Sequence, residues 1–60
     1  MTLDDANKKK LVKKGFRFRY PSWKTIWEVK EVVKRGAIVD MIQESGHHHL
    51  CEWAEEIKPV

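Results

Sequence analysis

From residue 16 to residue 20 apolar and polar positions alternate strictly, with Phe16, Phe18 and Tyr20 on one side and Arg17 and Arg19 on the other. This two-residue period predicts a half-buried strand, ended by Pro21-Ser22, with Trp23-Lys24 in the loop that follows. Between Thr25 and Ile42 stand nine β-branched residues or tryptophans: Thr25, Ile26, Trp27, Val29, Val32, Val33, Ile38, Val39 and Ile42. Such a density predicts two strands. Trp27, Val29 and Val33 share a parity that Glu31 interrupts and Val32 breaks, which a bulge near Glu31–Val32 reconciles. Lys34-Arg35-Gly36 reads as the turn between the strands, and the second strand runs from Ala37 to Gln43. The competing pattern is a helix from Ser22 to Arg35 stopped by Gly36. Its apolar residues scatter over more than half the helical wheel, so it ranks second.

Glu44-Ser45-Gly46 signals another turn, and alternation resumes from His47 to Cys51. Glu52 to Glu56 favours a short helical turn. Ile57 to Val60 is a short extended end, where Pro59 suits an edge strand because its missing N–H costs nothing there. At the other end, residues 2–14 read as a weak helix. Thr2 is a cap with Asp5 three residues on, lysines fall towards the C-terminal end, and Gly15 stands where the helix would stop. The apolar face of Leu3, Ala6, Leu11 and Val12 is narrow, so a frayed basic tail is the alternative. The division expected is a helix or flexible tail over 1–14 and one small domain over 15–60.

The chain has 60 residues, 42% of them apolar, with three Trp, two Phe and one Tyr. That supports a small core built on a few large rings and argues against full disorder. A single Cys excludes an internal disulfide framework. No apolar run approaches a membrane span, and the N-terminal residues lack the apolar stretch of a signal peptide. The expectation is a soluble, cytoplasmic chain without membrane contact. So small a domain leaves little room to enclose a substrate, so an enzyme is not expected.

Charge is unevenly spread. Residues 1–35 hold eleven Lys/Arg and four acids, whereas residues 36–60 hold one Lys and five acids. The densest stretch, Lys8 to Arg19, contains seven basic residues and no acid. A basic block ahead of an acidic half suggests a dipolar surface with a polyanion as one partner; the plainer alternative is a solvated, solubilising face.

The succession of strand, long loop, strand, tight turn, strand, tight turn, strand, helical turn and short strand resembles a five-stranded Src-homology-three-like small barrel, of the KOW and Tudor type. The matching features are Gly15 before an aromatic first strand, Trp27-Glu28-Val29 opening the second, Gly36 and Gly46 at the hairpin turns, and Trp53 and Ile57 closing around Val60. The resemblance covers residues 15–60 and is one of pattern. It implies an all-β barrel, with the helix or tail added at the N-terminus, whose loops and one face bind nucleic acid or protein. The acidic loop of polyproline-binding members and the four aromatics of a methyl-lysine cage are not evident.

Two groups of residues invite chemistry. His47, His49 and Cys51 point the same way on a strand and offer imidazole and thiolate ligands for zinc, but no second His or Cys cluster completes such a site. His49 and Cys51 as base and nucleophile lack an orienting third group. No metal or cofactor is therefore assigned. The stronger group is basic and aromatic: Lys13, Lys14, Arg17, Arg19 and Lys24 to neutralise phosphates, with Tyr20 and Trp23 to stack on bases. Trp23 could instead fold over an open end of the core, while Phe16, Phe18, Trp27 and Trp53 are assigned to the core itself. Lys58 is expected to lie off this basic face. The function expected is a non-enzymatic module contacting nucleic acid, DNA or RNA. The alternatives are a protein-interaction adaptor using a strand edge or apolar loop, and a small metal-binding protein. The chain is expected to be a monomer or weak dimer.

Overall fold

The computed structural model describes residues 1–44 and 46–60. One helix and five strands follow one another as α1 (Leu3–Lys8), β1 (Arg17–Arg19), β2 (Trp27–Val33), β3 (Gly36–Met41), β4 (His48–Glu52) and β5 (Lys58–Pro59). The strands form one antiparallel sheet in the order β4-β3-β2-β1-β5. The mostly β fold expected from the alternation is present. The pairing is that of an open sheet rather than a closed barrel, because among the described residues no ladder joins β4 to β5.

The alternation in β1 does what its period demands. Phe18 is fully buried and Arg17 is exposed, while Phe16 and Tyr20 pack against the edge of the core. Burying Phe18 alone contributes roughly 1.5–3 kcal/mol. In β2, Val29 faces Val39 but Glu31 faces Ile38, so the extra residue is Lys30, just before the position expected for the bulge. This shift gives Val32, not Val33, the parity of buried Ala37 across the ladder. Val32 nevertheless stays 45% exposed.

The turn at Lys34-Arg35 keeps negative φ at both residues, and Gly36 follows at φ 154. A Cβ at Gly36 would overlap the Cys51 carbonyl oxygen and lie 2.9 Å from Glu52 Cα. Only glycine lets β3 approach β4 this closely. Ser45, in the middle of the expected second turn, lies outside the described residues. β3 ends at Met41 and β4 runs to Glu52, each a residue or two from its expected bound.

The N-terminal segment departs most from expectation. The helix spans six residues, Leu3–Lys8, not 2–14. It stops because Lys10 takes a left-handed φ of 63, well before Gly15. Leu3, Ala6 and Val12 are buried with the strand residues Phe18, Trp27, Val29, Ala37, Val39 and Cys51. Two backbone hydrogen bonds dock the segment onto the β4–β5 connection: Leu3 N–H donates to Glu55 C=O and Asp4 N–H to Trp53 C=O, each at 3.0 Å. That connection is a simple turn closed by Glu55 N–H on Glu52 C=O, where a helical turn was expected. Trp53 is partly buried beside the core, and its indole N–H donates to Lys34 C=O at 2.8 Å. It thereby ties the connection to the β2–β3 turn.

Candidate functional site

Strand alternation separates residues that lie together in the sequence. Arg17 and Arg19 stand on the solvent face of β1, while Tyr20, one residue on, turns to the core side. The two arginines and the aromatic half of the expected site therefore occupy different sides of β1.

On the solvent face, Arg17 Nε lies 3.5 Å from a Glu28 carboxylate oxygen, and Lys30 Nζ lies 2.8 Å from the other. The Lys30 hydrogen bond, aided by both cations, holds the half-buried Glu28 carboxyl below its ordinary range. Part of Arg17's charge is thus already answered. Arg19 is opposite Lys58 in the β1–β5 register. Directly paired residues on neighbouring strands project to the same face, so Lys58 joins the basic face from which the sequence had placed it apart. Lys13 and Lys14 are exposed in the turn before β1, which is anchored by Gly15 N–H on Val29 C=O at 2.9 Å.

On the other side, four rings converge. Trp23 stacks on Trp27 with centroids 6.3 Å apart and planes 19° from parallel, and meets Tyr20 edge-on at 6.1 Å. His49 comes within 5.6 Å of Trp27 and 6.1 Å of Tyr20. Trp27 is buried, whereas Trp23 is 56% exposed. Trp23 neither caps the core nor hangs free: one face is held by Trp27 and much of the ring remains open. A hollow of about 450 Å³ beside it is walled by Tyr20, Pro21, Trp27 and His49 and rimmed by Glu55 and Glu56. A second hollow, about 530 Å³, has Lys24, Met41, His47 and His48 around the same two tryptophans. Lys24 and Trp23 thus share one wall, as their loop position suggests. The convergence with His49 was hidden in the sequence because it depends on β4 lying across β3 from β2.

The histidines and the cysteine do not gather. Cys51 is buried, His49 lies against the rings, and His47 is 3.4 Å from Glu44. Among the described residues no group of three His, Cys, Asp or Glu is placed to hold a metal ion. Burial pushes the Cys51 thiol up to about 11, so little thiolate exists at neutral pH. Among the described residues no helix is long and apolar enough to cross a membrane. No family model, curated protein or solved structure matches the chain.

Proposed function

We propose that this chain is a small non-enzymatic module that binds nucleic acid, built on a Src-homology-three-like barrel of the KOW and Tudor type. The element succession and the neighbour order β4-β3-β2-β1-β5 support the architecture. The observation that carries the function is Trp23: an exposed indole prevented from collapsing by its stack on Trp27 and placed beside Lys24. A base stacks on the open face of such a ring at little ordering cost, while Lys24 neutralises the adjoining phosphate. Lys13, Lys14, Arg19 and Lys58 extend the positive field around β1. Arg17 contributes less, because Glu28 already pairs with it.

The test is binding of labelled single-stranded and duplex DNA and RNA at increasing salt. Four or five phosphate contacts give a log–log slope of about −3 to −4.5. Trp23→Ala weakens single-strand binding by about 1–3 kcal/mol if the ring stacks on a base. Charge reversal at Arg19 and Lys58 weakens binding more than reversal at Arg17. Absence of binding at low salt, or binding indifferent to salt, rejects this function.

A second reading, a protein-interaction adaptor, is favoured by the other hollow. Its aromatic walls and the Glu55 and Glu56 carboxylates suit a cationic side chain better than a phosphate, although Glu56 already pairs with the N-terminal ammonium at 3.0 Å and Glu55 accepts from Glu52 N–H. In that case binding requires Glu55 and Glu56, and a basic peptide replaces nucleic acid as the ligand.

A further inference from the structure

The two edges of the sheet are unequally protected. β5 has only two residues, one a proline without a donor and the other a lysine, both common guards of an edge. β4 is five residues long, reads His-His-Leu-Cys-Glu, and among the described residues is laddered only to β3. The Glu52 N–H leaves that ladder to bond the Glu55 carboxylate at 2.8 Å, so it faces away from β3. Backbone direction alternates along a strand, so the amides of Leu50 and His48 face outward too, while His49 and Cys51 bond to β3.

We infer that the open edge of β4 pairs antiparallel with the same edge of a second copy of this chain, with Leu50 opposite Leu50. This register is self-complementary. It sets the His48 imidazole of each copy across from the Glu52 carboxylate of the other, a donor against an acceptor, twice by symmetry. Both side chains are exposed, but each already has a neighbour in its own copy: Glu52 pairs with Arg35 at 3.6 Å and His48 stands opposite Asp40, so the contact between copies shares these groups. Leu50 lies beside Ile38 in the β3–β4 register, and both are half-buried. Pairing therefore joins their apolar surfaces into a stripe running across the two sheets. The reciprocal N–H and C=O bonds form at the Leu50 pair, flanked by His48 N–H on Glu52 C=O. The Glu52 N–H stays with Glu55, which keeps the ladder short and the dimer weak. Trp23 and the basic face of β1 take no part in this register.

Sedimentation equilibrium up to about 1 mM, the range of a weak dimer, tests the inference. It predicts a monomer–dimer equilibrium, with slowed exchange of the Leu50 amide as concentration rises. His48→Glu places two carboxylates opposite each other and weakens the dimer roughly tenfold, the expected size for two like-charge contacts. The double variant His48→Glu/Glu52→His restores the pairing; since His48 stands opposite Asp40 and Glu52 pairs with Arg35 within one copy, each variant is compared at a temperature where its circular-dichroism melt shows it folded. A monomer throughout the range overturns the inference. So does a dimer indifferent to His48→Glu, or one in which Leu50 exchange does not depend on concentration.

Discussion

Among the described residues the Trp27 indole N–H is buried without a hydrogen-bond partner, and the buried Tyr20 hydroxyl meets only the Cys51 thiol, a weak partner. Burial and the neighbouring Cys51 thiol raise the Tyr20 phenol far above its ordinary value, so it stays neutral at any working pH. A buried donor paired only with a thiol recovers little of its desolvation cost, so Tyr20 is tolerated there for its ring rather than its hydroxyl. Tyr20→Phe is accordingly expected to keep stability unchanged or raise it by up to about 1 kcal/mol in a urea titration. A loss of stability would mean that the contact with the thiol outweighs that cost. The aromatic role of Tyr20 was legible in the alternation of residues 16–20. Its meeting with His49 was not, because strand periodicity reports the face of a residue and not its neighbour two strands away.

At the scale of the element, α1 is short enough to depend on its cap. Thr2 Oγ1 accepts from Asp5 N–H at 3.0 Å, and Asp5 Oδ2 accepts from Thr2 N–H at 3.2 Å. The second of these bonds contributes most to holding the exposed Asp5 carboxyl below its ordinary range. A six-residue helix is marginal alone and persists here through Leu3 and Ala6 in the core. Thr2→Ala should cost about 1 kcal/mol, lowering Tm by roughly 4–8 °C in a thermal melt. No measurable change would show that docking alone holds the segment. The capping box was readable from Thr2 and Asp5. The early stop was not, since no glycine marks the left-handed turn at Lys10.

Across the whole molecule, stability is expected to fall on the acid side. Burial alone would raise the Asp40 carboxyl. The Gly46 N–H, the His48 imidazole and the N–H groups of His47 and Met41 outweigh it and hold the carboxyl below its ordinary value. Asp5 and Glu28 are shifted in the same direction. A depressed folded-state pKa contributes stability that is complete above the unfolded value near 4 and disappears as pH falls through the folded value. Denaturant midpoints should therefore be flat near neutrality and decline below about pH 4.5. Asp40→Asn should lower the neutral plateau and flatten that decline. An acid limb unaltered by this change would assign it to the other carboxylates.

Local pattern by itself determined that the chain is built of short strands, which face of β1 is buried, where the turn at Lys34-Arg35 falls, and that charge divides between the halves. These are properties of neighbouring residues, carried by side-chain period and turn chemistry. Tertiary structure decided what depends on residues far apart. It buried Leu3, Ala6 and Val12 under the sheet and drew Lys58 beside Arg19. It divided Arg17 and Arg19 from Tyr20 and Trp23, and it supported Trp23 on Trp27. It also left the β4 edge open, because strand pairing, unlike strand formation, is settled by which surfaces can be buried together.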